Sequence, residues 1–151
     1  MHGVRVNGEL LVDAEVETLG RRVPRERGRL TCLWPIGYGS HPLIRVVHYV
    51  SEEGRDYFDA WFRRLPREVR ARVQARIDRM ELGNFGDHKS VGRGVSELRI
   101  DSGPGYRLYL GRDGEALVIL LGGGVKKSQT GDIAVAQGRW QAYKQEKRNA
   151  R

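Results

Sequence analysis

A change of hydrophobic period partway along the chain constrains its fold most. Phe58, Trp61, Phe62 and Leu65 fall at i, i+3, i+4 and i+7, and Val69, Val73, Ile77 and Met80 continue with a second stripe. Two amphipathic helices are expected, with Pro66 at their junction and Gly83-Asn84 stopping the second. From Val95 the period becomes two. Val95–Ile100, Tyr106–Leu110 and Ala116–Leu121 read as strands, joined by the turn segments Asp101–Gly105 and Gly111–Gly114. The third of these is apolar on both faces, as a covered strand should be. Upstream, the β-branched and aromatic run Leu43–Val50 suits another strand, after which Ser51 is expected to cap the first helix, with Glu52 and Glu53 in its first turn. A last helix, from about Gly131 to Lys147, would bury Ile133, Ala136, Trp140 and Tyr143. The order β-α-α-β-β-β-α makes an α+β fold: a small, mostly antiparallel sheet with a helical hairpin on one face and a C-terminal helix.

A chain of 151 residues suits one domain with a real core. Residues 44–147 carry the periodic signals. Residues 1–43 hold Pro and Gly clusters without a sustained period, and read as a flexible extension or as the product of a start site placed too far upstream. Within them Val4–Val6 and Leu10–Val12 could pair as short strands around Asn7-Gly8, a dipeptide that favours a tight hairpin. No run approaches the eighteen apolar residues of a membrane span, and the first residues lack the apolar core of a secretory signal. Cys32 has no cysteine to pair with, and His2, His41, His48 and His88 are scattered without metal-ligand spacing. A cytoplasmic protein with no metal, no small-molecule cofactor and no membrane partner is expected. The formal net charge of +8 favours an anionic partner, and nucleic acid is the commonest one.

Alternation puts Glu97, Arg99, Arg107 and Tyr109 on one face of the predicted hairpin, and Leu98, Ile100, Tyr106, Leu108 and Leu110 on the other. If the five-residue loop closes symmetrically, Arg99 lies opposite Arg107 and Glu97 opposite Tyr109. Like charges directly across a ladder destabilise it unless something anionic offsets them. Two candidates stand: Glu97, as a structural ion pair, or a phosphate held in the guanidinium forks. Gly122-Gly123-Gly124-Val125-Lys126-Lys127-Ser128-Gln129 lacks the spacing of a Walker loop, so no nucleoside-triphosphate site follows. It reads either as a flexible strand-to-helix connection or as a backbone that a ligand can approach closely. Arg72, Arg76 and Arg79 form a basic stripe on the second helix, which is a solvated face or a binding surface.

The run Gly83-Asn84-Phe85-Gly86-Asp87-His88-Lys89-Ser90-Val91-Gly92-Arg93-Gly94-Val95-Ser96-Glu97-Leu98-Arg99-Ile100 resembles the signature of the HigB-like addiction-module killer proteins, a group within the RelE/ParE toxin superfamily. Gly103-Pro104-Gly105-Tyr106-Arg107-Leu108-Tyr109, then Leu120–Gln129, then Asp132-Ile133-Ala134 match its later segments in order. The resemblance covers about residues 44–143. It implies a RelE-like fold and the toxin of a type II toxin–antitoxin module, neutralised by a cognate helix-turn-helix antitoxin. It further implies a ribosome-dependent endoribonuclease that cleaves mRNA without a metal. Under that resemblance Arg107 stabilises the phosphorane-like transition state, Arg99 positions the phosphate, and Lys126 or Lys127 acts as a second clamp or as the acid. Tyr109 contributes a phenol near the site, while Lys89, Lys126 and Gln129 contact RNA.

One departure from that pattern matters. The mRNA-cleaving relatives carry a Tyr or His in the C-terminal segment, acting near the 2′-hydroxyl; here Thr130-Gly131-Asp132-Ile133 offers only Asp132. A general base must lie within hydrogen-bond reach with a suitable pKa, and Tyr109, Lys127 and Asp132 all remain open. The missing residue also admits a non-catalytic toxin that poisons DNA gyrase, as in the ParE branch, or an inactive relative that only binds its antitoxin.

Overall fold

The computed structural model describes residues 4–6, 9–11 and 43–150. β1 (Val4–Val6) pairs antiparallel with β2 (Glu9–Leu11), with Val6 opposite Glu9. Apart from these strands and Leu43, the expected 1–43 extension lies outside the described residues. The rest is an α+β fold: β3 (Arg45–His48), α1 (Tyr57–Arg63), α2 (Arg67–Glu81), β4 (His88–Gly92), β5 (Val95–Ile100), β6 (Tyr106–Asp113), β7 (Leu117–Val125) and α3 (Gln129–Asn149), the last preceded by a 3₁₀ turn at Lys126–Ser128. The five-stranded sheet runs β3-β7-β6-β5-β4, antiparallel except where β3 lies parallel to β7.

Helices cover both faces of the sheet. Phe58, Leu65, Val69, Val73, Ile77 and Met80, which are the helical stripes of the sequence, pack on Leu98, Ile100, Leu108, Leu110, Val118 and Leu120. On the other face Ala136, Trp140 and Tyr143 of α3 meet Val47, Tyr49, Val95, Tyr109, Leu117, Ile119 and Leu121. β7 is buried from both sides, which is why its sequence is apolar throughout. α2 ends as expected: the Gly83 N–H donates to the Met80 carbonyl and the Asn84 N–H to that of Arg79, with Gly83 at φ +87°. This is a Schellman motif, and its left-handed residue is the reason glycine stands there.

Four local features differ from the sequence expectation. Ser51 does not cap a helix; residues 51–55 form a turn in which Gly54 takes φ +81°, and the Arg55 N–H donates to the Ser51 hydroxyl. Asp56 caps α1 instead, its carboxylate accepting from the Asp59 N–H at 2.8 Å. β4 is an additional edge strand whose mostly exposed residues carry no apolar alternation. β6 runs on through Gly111–Asp113, which shortens the turn expected at Gly111–Gly114. Finally, Gly122-Gly123-Gly124 belongs to β7 and is filled from both sides, since a methyl at Gly123 would overlap the Trp61 indole and one at Gly124 the Asp132 carboxylate.

These glycines make a test of the packing. Gly123→Ala should lower stability by about 1–3 kcal/mol, because Trp61 and the sheet must separate. Gly138→Ala, in open space within α3, should raise it by up to about 1 kcal/mol through helix propensity alone. Urea denaturation of both variants beside the parent checks the pair; equal effects would refute this account.

Candidate functional site

The loop between β5 and β6 closes symmetrically, with Glu97 opposite Tyr109 and Arg99 opposite Arg107. Extended across the sheet, this register gives two rows on the face that α3 covers. One runs Lys89, Glu97, Tyr109, Gly122; the next carries Arg99, Arg107 and Gly124. The bare glycines admit side chains from α3: the Arg139 guanidinium over Gly122 and the Asp132 carboxylate over Gly124.

Glu97 is at the centre and has no solvent exposure. Its Oε2 accepts from the Gln129 side-chain amide at 2.6 Å. Its Oε1 lies 3.4 Å from Arg107 Nε and 3.8 Å from both Arg99 Nε and Lys89 Nζ. Three cations therefore surround one carboxylate. Glu97 is the anion that lets Arg99 and Arg107 face each other, so the structural ion pair exists, and the cluster keeps an excess of positive charge. Glu97 Oε1 and the two arginine Nε atoms are buried with no hydrogen-bond partner.

The cations differ in freedom. Arg107 is 7% exposed, and its Nη1 lies 3.5 Å from the Tyr106 carbonyl beneath Gly105. The Arg99 side chain is 41% exposed and that of Lys89 47%. Lys126 and Lys127 are exposed in the 3₁₀ turn, which is tied to the β5–β6 loop where the Lys126 N–H donates to the Gly105 carbonyl at 2.8 Å. The structure thus brings Lys89, Glu97, Arg99, Arg107 and Gln129 into one cluster and sets the two lysines at its rim.

Tyr109 lies under α3, 1% exposed, with its hydroxyl beside the Glu97 carboxylate. Burial first, then the negative charges of Glu97 and Asp132, push the phenol up from its ordinary value near 10. A phenol held protonated in this way is unsuited to take a proton near neutral pH. Asp132 occupies the first turn of α3, partly exposed, and accepts from the Ser128 hydroxyl at 2.5 Å. Arg139 escaped the sequence reading. Its Nη1 donates to the Leu121 carbonyl at 2.8 Å and its guanidinium lies 3.7 Å from the Tyr57 ring centroid, where burial pulls its pKa down. Its spacing of seven residues from Asp132, on a helix, was the available signal. Among the described residues no group of three or more His, Cys, Asp or Glu side chains is placed to hold a metal ion.

A basic α+β domain that gathers cations around one buried carboxylate on a sheet face defines a class of small proteins suited to anionic partners. This chain belongs to the family described as "Phage derived protein Gp49-like (DUF891)", which residues 60–151 match. That family is associated with toxin–antitoxin modules and related to the RelE-like toxins, and the fold is compatible with theirs. An uncharacterized protein of Haemophilus influenzae is 51% identical over 81 residues, covering 53% of this chain and 82% of that relative. Among the described residues no helix is long and apolar enough to cross a membrane.

The buried charge makes a testable prediction. Glu97→Gln leaves three cations with no anion between them, and should cost about 3 kcal/mol or more of stability. Added phosphate should then raise the melting temperature of the variant more than that of the parent. An equal response of the two would show that the cations are already compensated elsewhere.

Proposed function

We propose that this protein is a HigB-like toxin of the RelE/ParE kind, a ribosome-dependent mRNA endoribonuclease. One observation supports this above the others: Arg99, Arg107 and Lys89 outnumber the single carboxylate they share, and Lys126 and Lys127 stand at the rim of the same cluster. In the reaction, a ribose 2′-hydroxyl attacks the adjacent phosphorus and the 5′-oxygen of the next nucleotide leaves. Arg107, held by the Glu97 carboxylate, faces the charge that grows on the phosphoryl oxygens. Arg99 fixes the phosphate beside it. Preorganised charge of this type contributes most to such chemistry. Lys127 protonates the leaving 5′-oxygen, and Lys89, Lys126 and Gln129 line the approach of the RNA strand. Asp132 is the group best suited to accept the 2′-hydroxyl proton, since it is partly exposed where Tyr109 is buried with its pKa raised. Tyr109 then serves the site as the neutral phenol beside Glu97. The same reading places the protein in the cytoplasm, makes residues 44–147 the toxin domain, and gives it an antitoxin partner of helix-turn-helix type.

A second reading follows from the burial of Tyr109. With the Tyr109 phenol covered, a non-catalytic toxin that binds DNA gyrase needs no base at all.

Induced expression followed by mapping of transcript 5′ ends separates the two. The nuclease reading expects growth arrest with new internal 5′ ends, and Arg107→Ala should reduce cleavage about 10²–10³-fold, the scale of losing one preorganised donor. Arrest with intact mRNA and a DNA-damage response would instead select the gyrase reading. Because the Tyr109 phenol is pushed up, the cleavage rate should show no ionisation step of that group between pH 6 and 10.

A further inference from the structure

The basic stripe on α2 faces a cleft that the site above does not use. It has a volume of about 290 Å³ and is lined by Arg72, Arg76 and Arg79 of α2, by Arg99 and Asp101, and by Asp87. Two of the arginines are already engaged as struts. Arg72 Nη1 donates to the Asp101 carbonyl at 3.1 Å; Arg76 Nη2 donates to the carbonyls of Phe85 and Asp87 at 3.1 and 3.0 Å. These bonds fix the guanidiniums in place while leaving further N–H groups unused. The Arg79 guanidinium is exposed and makes no hydrogen bond or ion pair among the described residues. Neither Asp87 nor Asp101 forms an ion pair with any of the four arginines. Arg99, whose Nε lies 3.8 Å from Glu97 Oε1, also borders the cleft.

We propose that this cleft is a second phosphate subsite, which takes a backbone phosphodiester of a single-stranded RNA next to the one held at Arg107. The proposal rests on the nuclease reading above and adds the path of the strand. The planar guanidiniums of Arg72, Arg76 and Arg79 beside a concave opening match phosphate oxygens in bidentate pairs. Arg99 joins the two positions, so a strand can run from the Lys126-Lys127 rim across Arg107 and Arg99 to Arg79. An acidic peptide from a protein partner could meet the same charges, but nothing in its chemistry would require continuity with Arg107.

The test is titration of a fluorescein-labelled single-stranded RNA, 2′-O-methylated to prevent cleavage, into the full chain by anisotropy at several salt concentrations. Arg79→Ala should weaken binding several-fold. It should also reduce the slope of log affinity against log salt by about 0.7, the share of one phosphate on a single strand. Its melting temperature should be unchanged, because the Arg79 guanidinium holds nothing. Arg79→Lys should keep the slope and lose part of the affinity, and Arg67→Ala, outside the cleft, should match the parent. An unchanged slope in Arg79→Ala overturns the proposal. So does a variant that binds RNA normally but loses binding to a glutamate-rich peptide, which would assign the cleft to an acidic protein. Transcript 5′ ends from cells expressing the parent judge the nuclease reading separately: a protein that cleaves, yet whose Arg79→Ala slope is unaltered, keeps the nuclease and loses the cleft.

Discussion

Removing a carboxylate from water costs several kcal/mol, and Glu97 is fully buried. The arrangement persists because every neighbour of Glu97 compensates it. Lys89 approaches from the edge strand, Arg99 from its own strand, Arg107 from the strand beyond, and Gln129 from the first turn of α3. Each lies where the register of β4, β5 and β6 places it. A slip of one residue in β5 would turn Glu97 into the apolar face beneath α1 and α2. The ion cluster and the hydrophobic core on the opposite face therefore enforce the same register. The Gln129 bond adds a third constraint, since it seats the start of the helix that covers the sheet.

That helix needs room, and β7 supplies it. A bulge at Leu121 lets Tyr109 pair with Gly122 while Leu110 pairs with Leu120. The extra residue leaves the Leu121 carbonyl outside the ladder, and Arg139 takes it up. Beyond the bulge the glycines leave the sheet surface bare, and Arg139 and Asp132 lie directly upon it. The bulge thus decides how closely α3 approaches the charged rows, and so which side chains share the space around Arg107.

The sequence made parts of this arrangement legible and hid others, for physical reasons. Phe58 to Met80 carry the helices because burial on one side imposes a 3.6-residue period, and those stripes are the side chains found in the core. The Arg99–Arg107 and Glu97–Tyr109 pairs follow from a symmetric five-residue loop. β4 left no such mark: an edge strand exposed on both faces has no apolar alternation to read. The glycine run looked like a flexible connection because glycine is equally the residue of loops and of close packing, and only Trp61, Arg139 and Asp132 distinguish the two. At the site the candidate residues could be named, but their unequal exposure could not, because α3 covers Tyr109 from a position far along the chain.

The unequal exposure has a further consequence for the chemistry. Arg107 is nearly buried and Arg99 half open, so one guanidinium is fixed before any ligand arrives while the other retains freedom at its tip. Their Nε groups pair with Glu97 Oε1 by charge at 3.4 and 3.8 Å without a hydrogen bond. On the proposed function, a phosphate bound across the two guanidiniums would offset the excess positive charge and draw both forks toward it. Charge placed in this way requires little reorganisation when negative charge develops on the ligand, which is the condition under which electrostatic stabilisation favours a transition state over the ground state. On the proposed function, a cluster that carries more positive than negative charge is thus suited to hold a phosphate.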